Sequence, residues 1–362
     1  MSTVAHGALD YGELARLGLT PDDVLDFSSN INPFGPPPAL VAALREALSA
    51  PLLARYPDRE CLAVRRRLAA LHGVSPAHVL VGNGSADLIA LLMQVLARGK
   101  RVAVLAPTFG EYAHAAALAG ATVHVVPRPG WRMTTNATFT PAPDEGVDAC
   151  AKRLAALAPD IVVLCNPNNP TGDYLPPAAL AHLRQAVPHA LWLLDAAYEA
   201  FCDSLSQPAA PSAQTIVLHS LTKDFALAGL RLGYLLASPD IAARLYAAQP
   251  PWNVNALAQH AALLALDALD WRAHTIADLL VERRRVEAHL HAVGWSPYPT
   301  TTNFLLLPVG NGARMRQRLL AHGLLVRDAA SFGLPHCIRI AVRRPEENDR
   351  LLAHLGSPPT TT

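Results

Sequence analysis

Lysine and arginine total 30 residues, but lysine stands only at 100, 152 and 223. Where this chain wants a plain positive charge it uses arginine, so each lysine invites the question of what its amine does. Lys100 lies in RGKR, a charged turn before an apolar run, and Lys152 lies in AKRLAAL on a helix surface. Both read as solvated charges. Lys223 differs: in HSLTKDFALAGLRLGY it sits between a β-rich run and an apolar segment. A lysine amine becomes a nucleophile toward carbonyls when burial or a nearby cation lowers its pKa, and Arg231 is eight residues away. Asp195 closes the fully apolar run LWLLD. A carboxylate at the carboxyl end of a central strand faces the crevice where α/β sheets bind ligands. Taken alone, it reads equally as a cap on the next helix or a magnesium ligand.

One ligand gives both groups a task. Pyridoxal 5'-phosphate (PLP) condenses its aldehyde with a lysine, and its ring nitrogen stays protonated against an acid. Three further strings suit such a ligand. CNPNNPTG (165–172) is a rigid turn after the apolar run DIVVLC, and a side-chain amide there can donate to a phenolic oxygen. VGNGSADLI (81–89) brings glycines and a serine to a helix start, where free backbone amides suit a phosphate. It is not a dinucleotide fingerprint, because position 87 is Asp. Phe109, in APTFGEY, can stack on a planar ring.

The elements that must carry these residues follow from periodicity. Strands are expected at 79–82, 101–107, 122–126, 160–165, 191–195, 215–220 and 233–238, with helices at 84–99 and 109–120. Several strands are apolar throughout, as when helices cover both faces of a parallel sheet. The pattern predicts an α/β protein with a mostly parallel, doubly wound sheet. After residue 240 come helical segments at 254–267 and 270–292, the second a connector. A smaller α+β pattern closes the chain: strands at 303–308, 324–328 and 337–342, helices at 313–323 and 346–355. The expected division is an N-terminal segment (1–39) packed near the small domain and the site, a large domain (40–270) and a C-terminal small domain (271–362).

Composition narrows the classes. Acidic and basic residues nearly cancel, 29 against 30, which argues against a nucleic-acid binder. Hydrophobic residues make up 51%, ample for a core. No apolar run approaches the ~20 residues of a membrane span, and the start lacks the basic and apolar regions of a secretory signal. The five cysteines form no C-x-x-C pair and the histidines no H-E-x-x-H, so neither a disulfide framework nor a metal site is expected. A cytoplasmic setting is the simplest expectation.

Together these strings resemble the fold-type I PLP enzymes, the aspartate aminotransferase superfamily. The nearest branch holds histidinol-phosphate aminotransferase and L-threonine-O-3-phosphate decarboxylase. The resemblance runs from about residue 6 to 355 and rests on NPNNPTG, the S-x-T-K motif Ser220–Lys223, and LAGLRLGY. It implies an aminotransferase-like fold and residue roles. Lys223 resembles the lysine that bonds the cofactor, Asp195 the partner of its ring nitrogen, and Tyr198 with Asn169 the donors to its phenolic oxygen. Gly84, Ser85 and Ala86, with Ser220 and Arg231, match the phosphate cup, and Phe109 the ring-stacking position. Tyr56, in RYPD, matches a tyrosine that reaches the cofactor phosphate of a neighbouring subunit, which implies a homodimer with shared active sites. Arg339, in CIRIAV, matches the arginine that grips an α-carboxylate. Within the branch, DFSSNINPFGPP (26–37), His6-Gly7 and VRDAASFGLP (326–335) lean toward the decarboxylase, with Ile31 where the aminotransferases more usually carry Glu. His6, Asn32 and Arg327 would then bind the substrate phosphate. That resemblance implies conversion of L-threonine O-3-phosphate to (R)-1-aminopropan-2-ol O-2-phosphate in cobalamin biosynthesis. The alternative is transamination of histidinol phosphate with 2-oxoglutarate.

Overall fold

Seven short apolar runs pair side by side to form the central sheet of a computed structural model that describes residues 7–48, 50–205 and 208–358. In chain order the strands of the protein are β1 (Leu25–Asp26), β2 (Val79–Gly82), β3 (Arg101–Ala106), β4 (Thr122–Pro127), β5 (Trp131–Met133), β6 (Phe139–Pro141), β7 (Ile161–Cys165), β8 (Leu191–Asp195), β9 (Thr215–Ser220), β10 (Gly233–Leu236), β11 (Phe304–Pro308), β12 (Leu324–Leu325), β13 (Arg327–Asp328) and β14 (Cys337–Ala341). The large sheet has the order β2-β10-β9-β8-β7-β3-β4. Pairings β4–β3–β7–β8–β9 are parallel, and β10 runs antiparallel to both β9 and β2.

The pleat explains why these strands are apolar at every position. Val102 and Val104 of β3 pack with the helices Ser85–Leu96 and Glu111–Leu118, whereas Ala103 and Leu105 pack with Val147–Leu157 and Pro177–Ala186. Toward the other edge, Val79, Val81 and Val217 meet the helices Leu62–His72 and Ala256–Leu266. Each large side chain fully buried this way contributes roughly 1.5–3 kcal/mol. Asn255 caps the second of those helices by accepting from Ala258 N–H at 2.8 Å.

The 24-residue helix Leu269–Ala292 leads out of this layer. Its buried side carries Thr275, Ile276, Leu279, Val286 and Leu290, and it delivers the chain to an antiparallel sheet, β11-β14-β13. There Arg327 of β13 lies directly opposite Arg339 of β14. The N-terminal segment joins this end: β1 pairs in parallel with β12. Phe27, completely buried, donates its N–H to Leu325 O (2.7 Å) and accepts from Ala341 N–H (2.9 Å).

The doubly wound α/β expectation holds. Three details depart from it or add to it. β10 is antiparallel; the run 324–328 splits into β12 and β13, which serve different sheets; and a hairpin, β5–β6, fills a stretch for which no element is expected. No helix among the described residues is long and apolar enough to cross a membrane.

Candidate active site

Strands β7, β8 and β9 are adjacent and parallel, so their carboxyl ends lie along one edge, where open sheets bind ligands. Asp195 ends β8, the turn Asn166–Gly172 follows β7, and Ser220 ends β9 three residues before Lys223. β3, next to β7, ends at Ala106 and delivers Phe109. Because β10 is antiparallel it starts at this same edge, and that places Arg231 against Gly84 at the start of the helix Ser85–Leu96.

Asp195 is 4% exposed, and each of its two oxygens accepts one hydrogen bond. Its Oδ2 accepts from the Tyr112 hydroxyl at 2.6 Å and its Oδ1 from the Ala197 N–H at 2.9 Å. Burial raises its pKa, while those two donors and the Lys223 charge oppose the rise. The Lys223 amine is pushed down to about 8, first by burial, then by the charges of Arg339 and Arg231, with Asp195 opposing. Lysine and aspartate therefore share one electrostatic neighbourhood, as a single cofactor touching both requires.

Tyr198 is buried, its phenol pushed up to about 12 by desolvation, with Arg339 opposing. Its oxygen accepts from Asn30 Nδ2 at 3.1 Å, which leaves its own proton to donate elsewhere. Asn169 accepts from Arg339 Nη1 at its Oδ1, which leaves its amide N–H groups to donate elsewhere. Arg339 Nη2 donates to Ser28 O at 2.5 Å, and its Nε is buried with no hydrogen-bond partner. Arg327 donates to Ser331 Oγ at 2.6 Å. Burial and then the neighbouring Arg339 push its pKa down to about 10. Phe332 lies 5.4 Å from the Arg327 guanidinium and 6.0 Å from that of Arg339.

The phosphate end is built from backbone. Gly84 has φ +85°, and a Cβ there would come 2.5 Å from Arg231 Nη2. A Cβ on Gly233 would come 2.7 Å from Ser85 N. The two glycines thus let Arg231 and the start of β10 come close to the helix N-terminus, whose amides and dipole favour an anion. Ala86 is exposed in the first turn of that helix, and Ser220 Oγ bonds Thr222 Oγ1 at 2.7 Å on the facing strand end. Phe109 sits edge-on to Tyr112, with ring centroids 5.6 Å apart.

This set fits PLP. It offers a depressed amine for the aldehyde, a buried carboxylate for the ring nitrogen and a helix N-terminus beside Arg231 for the phosphate. Buried polar atoms without protein partners, Asn30 Oδ1 and Arg339 Nε, remain near the substrate side.

Not every expected residue joins. The Asn32 amide, expected in the substrate shell, is spent inside the protein: Nδ2 donates to Asp224 O (3.0 Å) and Thr275 Oγ1 (2.9 Å), and Oδ1 accepts from Phe34 N–H (3.2 Å). Asn30, two residues earlier, faces the site instead. Tyr56 lies apart, 79% exposed and stacked on Trp252 at 4.5 Å. His6 lies outside the described residues. Two contributors escaped the sequence reading, Asn30 and Tyr112. The signal for Tyr112 was its place three residues after Phe109, within the segment expected to be helical (109–120).

The family Aminotransferase class I and II matches residues 22–355. The chain is 35% identical over 346 residues to the histidinol-phosphate aminotransferase of Symbiobacterium thermophilum, covering 94% of this chain and 91% of that one. Among solved structures it resembles histidinol-phosphate aminotransferase from Sinorhizobium meliloti in complex with pyridoxal-5'-phosphate. The TM-score is 0.81 at 25% identity, covering 96% of this chain and 94% of that one. It also resembles L-threonine-O-3-phosphate decarboxylase from Porphyromonas gingivalis. There the TM-score is 0.76 at 26% identity, with 91% and 97% covered.

Proposed function

Because the chain belongs to the class I and II aminotransferases, a PLP-dependent family, we propose that it transfers the amino group of histidinol phosphate to 2-oxoglutarate. The observation that carries a phosphorylated substrate is the cross-strand pair Arg327–Arg339. Two buried guanidiniums held side by side repel one another, and each lowers its cost by meeting an anion. A phosphate monoester and a carboxylate are anions matched to a planar fork. The names of relatives that align over more than nine-tenths of the chain support transamination, against the lean of the sequence strings toward decarboxylation.

Once bound, PLP supplies an electron sink for a bond at the substrate's Cα. In this reading Asp195 keeps a proton on the ring nitrogen, and Tyr198 and Asn169 donate to the phenolic oxygen. The Lys223 amine takes and returns the Cα proton at Nζ. Arg339 and Arg327 would hold the phosphate of histidinol phosphate, and in the other half-reaction the carboxylates of 2-oxoglutarate, and so fix how the substrate's Cα is presented to Lys223. Tyr56, exposed on a stacked aromatic pair, meets the cofactor phosphate of a second copy, which makes the enzyme a homodimer.

Decarboxylation of L-threonine O-3-phosphate is the second reading. Ile31 favours it, standing where the aminotransferases more usually carry Glu, as does the string Arg327-Asp328…Phe332. The test offers the purified PLP-loaded protein each substrate separately. Glutamate formed from histidinol phosphate plus 2-oxoglutarate, with no CO₂ from threonine phosphate alone, supports transamination. Stoichiometric CO₂ from threonine phosphate without a keto acid replaces it with the second reading.

A further inference from the structure

The main chain around Lys223 is held from outside its own strand. The Asn32 N–H donates to Lys223 O at 2.8 Å. One Asn32 amide proton goes to Asp224 O at 3.0 Å, the other to Thr275 Oγ1 at 2.9 Å. Asp224 in turn holds Arg272 at 3.2 Å, one helical turn before Thr275 on the helix Leu269–Ala292. Asn32 is 1% exposed, and with these bonds and the one from Phe34 N–H to Oδ1 it has no donor left for a substrate.

We propose that Asn32 is a positioning residue for the lysine: it pins the carbonyls of Lys223 and Asp224 to the N-terminal segment and to Thr275, and so fixes the point from which the amine reaches its target. The proposal rests on the reading of Lys223 as the cofactor lysine. The four-carbon stem of a lysine has many rotamers, and its tip is accurate only if its root is fixed. A misplacement of about 1 Å in a reacting group costs on the order of 100-fold in rate. The side chains that face Lys223 Nζ, namely Asp195, Arg339 and Arg231, stay in place when Asn32 changes. The effect therefore falls on trajectory rather than on substrate affinity.

The experiment adds PLP to the apoprotein and follows growth of the visible band of the bound cofactor in wild type, Asn32→Ala, Asn32→Gln and Thr275→Val. Steady-state kinetics on the phosphorylated substrate run alongside. For Asn32→Ala, band growth and kcat both fall by roughly 10-fold or more, with KM for the phosphorylated substrate within about twofold of wild type. Thr275→Val removes one acceptor and leaves the Asn32 Nδ2 bond to Asp224 O in place, so it shifts both rates the same way by less. It stands as the test if Asn32→Ala loses its cooperative thermal transition. Asn32→Gln recovers part of the loss. A KM that rises with band growth at the wild-type rate overturns the proposal in favour of a substrate contact. Wild-type rates in both Asn32→Ala and Thr275→Val overturn it outright. A wild-type chain that forms no band overturns the assignment of Lys223, and this proposal with it.

Discussion

The Tyr112 hydroxyl donates to Asp195 Oδ2 at 2.6 Å, and both groups are sealed from water. The bond stabilises the ionised carboxylate against burial, which pulls the other way. A hydrogen bond to a charged group contributes roughly 1.5–3 kcal/mol. Tyr112→Phe removes it while keeping the ring against Phe109. The Asp195 pKa then rises further, so on acidification the partner of the ring nitrogen is lost at a higher pH. The expected outcome is an acid limb of kcat/KM displaced upward and faster loss of PLP on dialysis. An unmoved acid limb would show that Tyr112 serves packing alone.

The Lys223 amine, held to about 8 in the folded apoprotein, binds a proton less readily than its ordinary value of 10.5. PLP incorporation should accelerate with pH through about 8 and level off above it, because the free amine is the nucleophile. Stability follows with a definite sign. Between about 8 and 10.5 the unfolded chain binds more protons at this position, so this lysine makes the apoprotein more stable as pH rises through that window. Lys223→Ala should remove that increment, as read from urea midpoints across the range.

Arg327 and Arg339 answer to different readouts. Arg327 bonds Ser331, whereas Arg339 also holds Asn169 and the Ser28 carbonyl. Arg327→Ala should raise KM for phosphorylated substrates by roughly 10-fold or more, the scale of one charge-assisted bond, and leave PLP retention intact. Arg339→Lys keeps the charge but loses the fork. It should lower kcat as well, because Asn169 is released. Equal loss of PLP and substrate binding in Arg327→Ala would refute its assigned task.

Gly84→Ala puts a methyl group where φ is +85° and Arg231 Nη2 lies 2.5 Å away. The guanidinium must move away from the helix N-terminus. PLP affinity should fall by at least an order of magnitude, with a thermal midpoint only a few degrees lower, since strain at one such residue costs about 1–3 kcal/mol. Calorimetric titration of the apoprotein with PLP measures it.

The strands that carry the site were legible because each is a local apolar run stopped by a turn, and the residues after those stops are where chemistry collects. Lys223, Asp195 and Asn169 could be found in this way, and the structure brings them to one edge. What could not be read depends on partners far away in the chain. Nothing near residue 30 says that Asn30 will meet Tyr198, 168 positions on, while Asn32 turns inward to Asp224 and Thr275. Two asparagines flanking Ile31 look alike in the sequence, and only the packing gives them different work. The antiparallel sense of β10 was hidden too, since an apolar strand buried on both faces looks the same in either direction.

The pairing of β1 with β12, with Phe27 clasped between Leu325 and Ala341, also sets a schedule for synthesis. A nascent chain leaving the ribosome exposes Leu25 and Phe27 long before β12, because their bonding partners Leu324 and Leu325 emerge some 300 residues later. At ~5–20 residues per second, this segment waits many seconds with Phe27 uncovered. The strand that leads into the loop steadying the lysine is therefore made well before β12 and β14 and settles only after them. Ribosome-bound fragments ending before β12 should accordingly be sensitive to proteases near residue 27, while the large sheet behind them is already protected.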